Sequence, residues 1–261
     1  IGRGQLITEA KQLSTSNYEI KYSNNSNFNP EEVIRKTMLI NTLNFAFTDF
    51  ESQIKYALND GDNTFSDTDA MVYQIDQAVK NGINLYDGYF LQDITETTFK
   101  SIFTANIEMP MAKEKTYVLN KVGEALVEEY KGDWINFIKG GPKKLSQFDR
   151  FRDTSIYLEE EVHFLKLAQL AFWGIHRELA KDGEFYIEDM ENMTAFADYI
   201  VPVALEKMGI VTYADKLKNK IEQGVLIESD SIEEIEIRAA TLFVTAQLTE
   251  EINKVKAEEE K

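Results

Sequence analysis

Three places in the sequence combine residue types that could do chemistry. The stretch MTAFADYIVPVALEKMG, residues 193 to 209, sets Asp198 between Phe196 and Tyr199 in an otherwise apolar run. Val201 and Leu205 continue the apolar face, so the carboxylate is expected to be at least partly withdrawn from water. Such an acid must be paired, cap a helix, or sit where its charge is used. Ion-pair networks also bury acids, and on these residues alone a paired structural Asp198 is the favoured reading. The functional alternative is cleavage of an N-glycosidic bond. As a sugar–base bond breaks, the anomeric carbon gains positive charge; a fixed carboxylate on its face can stabilise that cation, form an adduct or direct a water. An adjacent aromatic such as Phe196 could stack on the departing base.

The second place is Glu160-x-x-His163, a spacing that puts a carboxylate and an imidazole on one helix face, as dimetal carboxylate bundles require. Those sites use the motif twice, and the only other histidine, His176, has Trp173 rather than Glu three residues before it. No metal site is expected. The third place, KGGPKK at 139 to 144, has the glycine and lysine content of a phosphate loop but the wrong spacing and a proline, so it reads as a connecting turn. There is no GxSxG segment and no support for a Ser-His-Asp triad.

Composition narrows the classes further. The chain has 261 residues and a formal charge of -17, which argues against a general nucleic-acid surface or an anionic membrane surface. A single anionic nucleotide in a local pocket stays open. With no cysteine there is no thiolate nucleophile, disulfide framework or cysteine-based metal site, so a reducing compartment, the cytosol, is the expectation. No run approaches the ~20 apolar residues that span a bilayer, and no membrane insertion is expected. The opening IGRGQLITEA lacks the apolar core of a secretory signal.

The elements that must position these residues read as mostly helical. Pro30 followed by two acids starts a helix in which Val33, Ile34, Met38, Leu39, Thr42 and Leu43 recur at helical spacing. The run SQIKYALNDGDNTFSD reads as a hairpin turning at Asn-Asp-Gly-Asp. Helices follow, with stops at Gly82, Gly132, Gly183, Gly209 and Gly224, and a break at Gly140-Gly141-Pro142. The segment 158 to 183, carrying both histidines, reads as one helix, and so does 193 to 209. Ser231 and Glu234 form a capping box opening the last helix, with Ile235, Ala239, Leu242, Phe243 and Ala246 on one face. Arg238 reads as an ion-pair partner of a neighbouring Glu, and Trp134 and Trp173 as core. The expected fold is mainly α, one helical domain with a small β-hairpin insertion and two possible lobes, about 1–139 and 144–261.

Six segments carry a resemblance. NTLNFAF (41 to 47), MPMAKEKTYVLNKVGEAL (109 to 126), FRDTSIY (151 to 157), VHFLKLAQL (162 to 170), MTAFADYIVPVALEKMGIVTYADKL (193 to 217) and IEIRAATLF (235 to 243) lie in the order found in the queuosine salvage family. Over about residues 33 to 250 the chain resembles these queuosine 5′-phosphate N-glycosylase/hydrolases. The resemblance implies a helical fold similar to helix-hairpin-helix DNA glycosylases. It also implies hydrolysis of queuosine 5′-phosphate to free queuine for transfer-RNA modification, without metal or organic cofactor. The family's aromatic and acid map onto Phe196 and Asp198, the acid as nucleophile or cation stabiliser. Lys166 is the candidate for the 5′-phosphate.

The chain departs from the family pattern at several positions. Ser26 stands where relatives have a histidine before the NP dipeptide, Leu167 replaces the arginine of a KRAQ segment, Gly174 replaces an acid, and Thr48 replaces an aromatic. Relatives continue beyond the last helix into a segment with Asp and aromatic residues that hold the base, where this sequence ends in KVKAEEEK. Missing positioning groups can cost orders of magnitude in rate. Two readings follow: an N-glycosidase acting on a small nucleotide, or a non-catalytic relative serving as a binding or structural subunit for a protein partner.

Overall fold

The computed structural model describes residues 3–15, 29–140, 153–183 and 185–259. Among them regular structure is eleven α-helices, two single-turn 3-10 helices and two short antiparallel hairpins, the mainly α fold expected. The chain sorts into two compact units. One comprises Ser23–Lys143 and Trp173–Tyr186; the other comprises Ile1–Tyr22, Lys144–Phe172 and Ile187–Lys261.

In the first unit, α2 (Pro30–Leu43) begins as expected: Asn29 Oδ1 accepts the Glu31 N–H at 3.1 Å, and Pro30 occupies the first turn, where no N–H is needed. Ile34, Met38, Leu39 and Leu43 bury its inner face. The hairpin of β1 (Ala57–Asp60) and β2 (Asn63–Ser66) turns at Gly61, whose φ of +57° a side chain would oppose. Next come α3 (Asp67–Lys80), α4 (Gly88–Asp93), α5 (Glu96–Ile102), α6 (Ala112–Tyr130) and α7 (Trp134–Gly140). Helix α6 lies against α4 so closely that a Cβ at Gly123 would sit 2.2 Å from the Gln92 nitrogen. Asn120, one turn earlier, donates to the carbonyls of Leu91, Gln92 and Ile94 at the end of α4. Arg35 holds α2 to the start of α7 through a bidentate pair with Asp133, at 3.0 and 2.7 Å. Trp134, Tyr56, Phe99 and Phe103 fill the core.

The second unit holds α1 (Arg3–Ser14), a hairpin of β3 (Thr154–Tyr157) and β4 (Glu160–His163), the first half of α8 (Lys166–Leu179), then α9 (Ile200–Lys207), α10 (Asp215–Glu222) and α11 (Ile232–Glu259). Two apolar clusters hold it together. Leu6 and Ala10 of α1 meet Leu205, Ile210, Val211, Val244 and Leu248. Phe164, Ala197 and Ile235 form a smaller cluster edged by Tyr157, Val162 and Leu242.

Four expectations need correction. Glu160–His163 is a strand, not the start of a helix: Thr154, Ile156, Tyr157 and Val162 favour strands, and Leu158-Glu159, both at positive φ, reverse the chain so that Ser155 pairs with Val162. His163 and His176 therefore do not share a helix, and the dimetal spacing has no helical face. Residues 193 to 199 are not helical either. The Thr194 N–H goes to Gln169 Oε1 at 2.7 Å, and α9 begins only at Ile200, with Pro202 in its first turn. On α11 the buried positions are Ile235, Thr241, Val244 and Leu248, while Ala239, Phe243 and Ala246 are exposed. Ser231 caps this helix by accepting the Glu234 N–H at 3.2 Å. Trp134 is core as expected, but Trp173 is half-buried and stacks on His176. Ser26, Gly141 and Pro142 lie outside the described residues.

Candidate active site

The irregular stretch 193 to 199 is held by side chains because it makes few backbone hydrogen bonds of its own. At its start, buried Gln169 of α8 grips Thr194 twice: Oε1 accepts the Thr194 N–H, and Nε2 donates to its hydroxyl at 2.9 Å. At its middle, the Ala197 methyl is buried with Phe164 and Ile235. The Ala197 carbonyl accepts from Arg238 Nε at 3.2 Å. At its end, the Asp198 N–H donates to the Phe196 carbonyl at 2.7 Å, closing a tight turn.

Asp198 then caps α9. Its Oδ1 accepts the N–H groups of Ile200 and Val201 at 2.9 and 3.1 Å, two of the amides a helix start leaves unpaired. Its Oδ2 accepts no hydrogen bond among the described residues, and no ion pair joins it to a cation within 4.0 Å there. The residue is half-buried, and Tyr199 beside it, 76% exposed, points to solvent. Among the described residues the carboxylate is thus held as a helix cap through one oxygen, with no ion pair within 4.0 Å.

Lys166 opens α8. Its backbone N–H donates to Asp153 Oδ2 at 3.2 Å, and the Asp153 carbonyl accepts the Phe164 N–H at 2.8 Å, so Asp153 fixes the turn that starts the helix. Burial pushes the Lys166 ammonium down from its ordinary pKa; the charges of Asp198 and Asp153 oppose that, and Arg238 adds to it. Lys166 and Asp198 therefore sit in each other's field. Phe196, half-buried, is tied to Asp198 by the turn.

Arg238 and Asp153 complete the group. The guanidinium, only 15% exposed, donates from Nη2 to Asp153, lies 3.9 Å from the centre of the Phe164 ring, and approaches Glu234 at 3.5 Å. Glu234 Oε2 is buried with no hydrogen-bond partner among the described residues; burial raises the pKa of this acid and Arg238 opposes the rise. Neither Asp153 nor Gln169 stands out by residue type. Both lie inside segments, FRDTSIY and VHFLKLAQL, that carry the family resemblance, and that is the one signal in the sequence that pointed to them.

Other positions have local accounts. A Cβ at Gly174 would meet Thr37 Cγ2 at 2.9 Å, so the glycine allows a close helix approach that an acid would disturb. Thr48 forms an isolated bridge with Lys55. An uncharged surface cavity of about 340 Å³, lined by Tyr73, Gln77, Asn81 and Thr104 among others, contains none of Phe196, Asp198 and Lys166. Among the described residues no group of three or more His, Cys, Asp or Glu side chains is placed to share a metal ion. No helix there is long and apolar enough to cross a membrane.

Residues 23–261 match the profile of the queuosine salvage protein family. The chain belongs to that family. Three curated relatives are each named queuosine 5′-phosphate N-glycosylase/hydrolase. The protein from Sphaerobacter thermophilus is 30% identical over 187 residues, 69% of this chain and 58% of that protein. The one from Mus musculus is 26% identical over 223 residues, 82% of this chain and 66% of that protein. The one from Nematostella vectensis is 27% identical over 255 residues, 91% and 73% of the two chains. This queuosine salvage family member thus spans 58 to 73% of the length of these relatives. The site described above, from Asp153 to Arg238, falls wholly within the matched region.

Proposed function

We propose that this chain, as a single helical domain acting in the cytosol, hydrolyses the N-glycosidic bond of queuosine 5′-phosphate and releases queuine, without metal or organic cofactor. The observation that supports the reading is the state of Asp198: half-exposed, locked through Oδ1 by two amides, with no hydrogen bond to Oδ2 among the described residues, in a chain of the queuosine salvage family. As the bond from C1′ to the base nitrogen breaks, its electron pair leaves with the base, which takes up a proton. Positive charge grows on C1′ and the ring oxygen. Asp198 Oδ2 offsets that charge, as an ion-pair partner or by a transient bond, and water then supplies the hydroxyl that ends on C1′. A carboxylate already fixed by amides costs no reorganisation at that moment. Phe196 packs on the base, and the Lys166 ammonium draws the 5′-phosphate.

The non-catalytic reading predicts an Asp198 sealed by side chains or spent in a salt bridge; its partial exposure, and the lack of a salt bridge to it among the described residues, favour the enzyme. The test is incubation of the folded protein with queuosine 5′-phosphate and chromatographic detection of free queuine. Asp198→Asn keeps the shape and is expected to lower kcat by roughly 10²–10³-fold. Release by the wild-type chain no greater than by Asp198→Asn sinks the reading.

A further inference from the structure

We infer that Arg238 is a positioning residue for Asp198, holding the Phe196–Asp198 turn by its central carbonyl, with Asp153 and Phe164 locking the guanidinium in the required orientation. The inference rests on Asp198 being the reacting carboxylate. Residue type alone suggests an ion pair of Arg238 with a neighbouring Glu, and one forms with Glu234. That contact is the longest of its three polar ones, at 3.5 Å. The principal partner is Asp153, 85 residues earlier in the chain. The same guanidinium makes three contacts at once: Nη2 to Asp153, Nε to the Ala197 carbonyl, and its carbon over the Phe164 ring.

The carbonyl chosen is informative. Ala197 lies between the two residues proposed to meet the substrate, so a shift of this peptide moves Phe196 and Asp198 together. Between Thr194, held by Gln169, and Ile200, the stretch has one backbone hydrogen bond of its own, from the Asp198 N–H to the Phe196 carbonyl. The placement of the carboxylate therefore depends on the Ala197 methyl in its apolar cluster and on the Arg238 bond to its carbonyl. A guanidinium can bond Asp153 and Ala197 from two separate nitrogens while its carbon sits over a ring; an ammonium, with one nitrogen, cannot hold all three. Displacing a catalytic group by about 1 Å can cost 10²-fold in rate.

The test compares wild type, Arg238→Met and Arg238→Lys in two measurements. The first is hydrogen exchange at the Ile200 and Val201 amides, the two donors to Asp198. Exchange at least tenfold faster in Arg238→Met, with the α1–α11 core unchanged, is expected. The second is steady-state release of queuine from queuosine 5′-phosphate. Here kcat is expected to fall about 10²-fold with KM within about threefold, and Arg238→Lys to recover less than a tenth of the loss. If Arg238→Met does not fold, Arg238→Lys, which keeps the charge and most of the stem, gives the answer by the same criteria. Unchanged exchange at the two amides overturns the inference. So does a rise in KM at unchanged kcat, which marks a direct substrate contact, and so does faster exchange with unchanged kcat in an active enzyme. If wild type releases no queuine, the proposed activity fails, and the exchange measurement still decides whether Arg238 fixes Asp198.

Discussion

Two buried lysines, one in each unit, carry opposite lessons. Lys115 of α6 is 0% exposed and meets no carboxylate among the described residues. Its ammonium donates to the carbonyls of Leu43, at 2.9 Å, and Phe45, and lies 3.9 and 4.6 Å from the ring centres of Phe45 and Phe47. Lys166 is half-buried and faces two acids, Asp198 and Asp153. Burial lowers both pKa values, to about 7 for Lys115. The surroundings differ in kind. Two carbonyls and two ring faces surround the Lys115 amine and shut out water, which makes it a pin for the chain after α2. Carboxylates and partial exposure leave Lys166 a charge still able to meet an incoming anion.

The largest expected effect breaks the pin. Lys115→Ala leaves the Leu43 and Phe45 carbonyls without their donor and opens a cavity beneath two rings, at a cost of about 3–5 kcal/mol. Urea unfolding reads this directly, and a loss under about 1 kcal/mol would remove the structural role. A smaller effect follows from protonation. The unfolded lysine keeps its proton up to the ordinary lysine value of 10.5, whereas the folded one releases it near 7, so between these values the unfolded chain binds more protons. Stability from this group is therefore full above pH 10.5 and lost as pH falls toward 7. Against Lys115→Met, which cannot titrate, the unfolding free energy of wild type should gain a few kcal/mol between pH 7 and 10. A gap that does not move with pH would mean that the two carbonyls and two rings hold the ammonium charged.

The two regions were not equally legible in the sequence. The elements around Lys115 could be read because local rules agreed there: Asn29-Pro30 starts α2, Gly61 turns the hairpin, and Gly132 ends α6. Lys115 itself passed unnoticed, since a lysine inside a long amphipathic helix gives no sign of which face it occupies. Around Asp198 local rules misled. Apolar spacing from Met193 to Met208 suits a helix, but Gln169 and Arg238, remote in sequence, take the polar groups of 194 to 197 and hold them out of helical form. In the same way, two residues at positive φ turned Glu160–His163 into a strand. Asp198 and Phe196 were singled out by residue type and Lys166 only through the family pattern, while the contact of Asp153 with Arg238 is one that a linear reading does not contain.

The remaining predictions concern the open member of the comparison. Lys166→Met removes a charge partly offset by two carboxylates, so the folded state should change by no more than about 1 kcal/mol, in contrast to Lys115→Ala. If Lys166 meets the 5′-phosphate in both ground and transition states, KM for queuosine 5′-phosphate rises about tenfold while kcat holds. A fall in kcat at constant KM would instead place Lys166 at the reacting end, beside Asp198. The smallest effect is in pH. Because burial lowers the Lys166 pKa, the wild-type ammonium begins to lose its proton at lower pH than an exposed lysine, although Asp198 and Asp153 resist the shift. KM should then climb with rising pH on the alkaline side, and this climb should be missing in Lys166→Met. Phosphate monoesters are already dianionic there, so the substrate contributes no change of its own. A climb of equal size in both proteins would assign it to another group and leave Lys166, like Lys115, a structural cation.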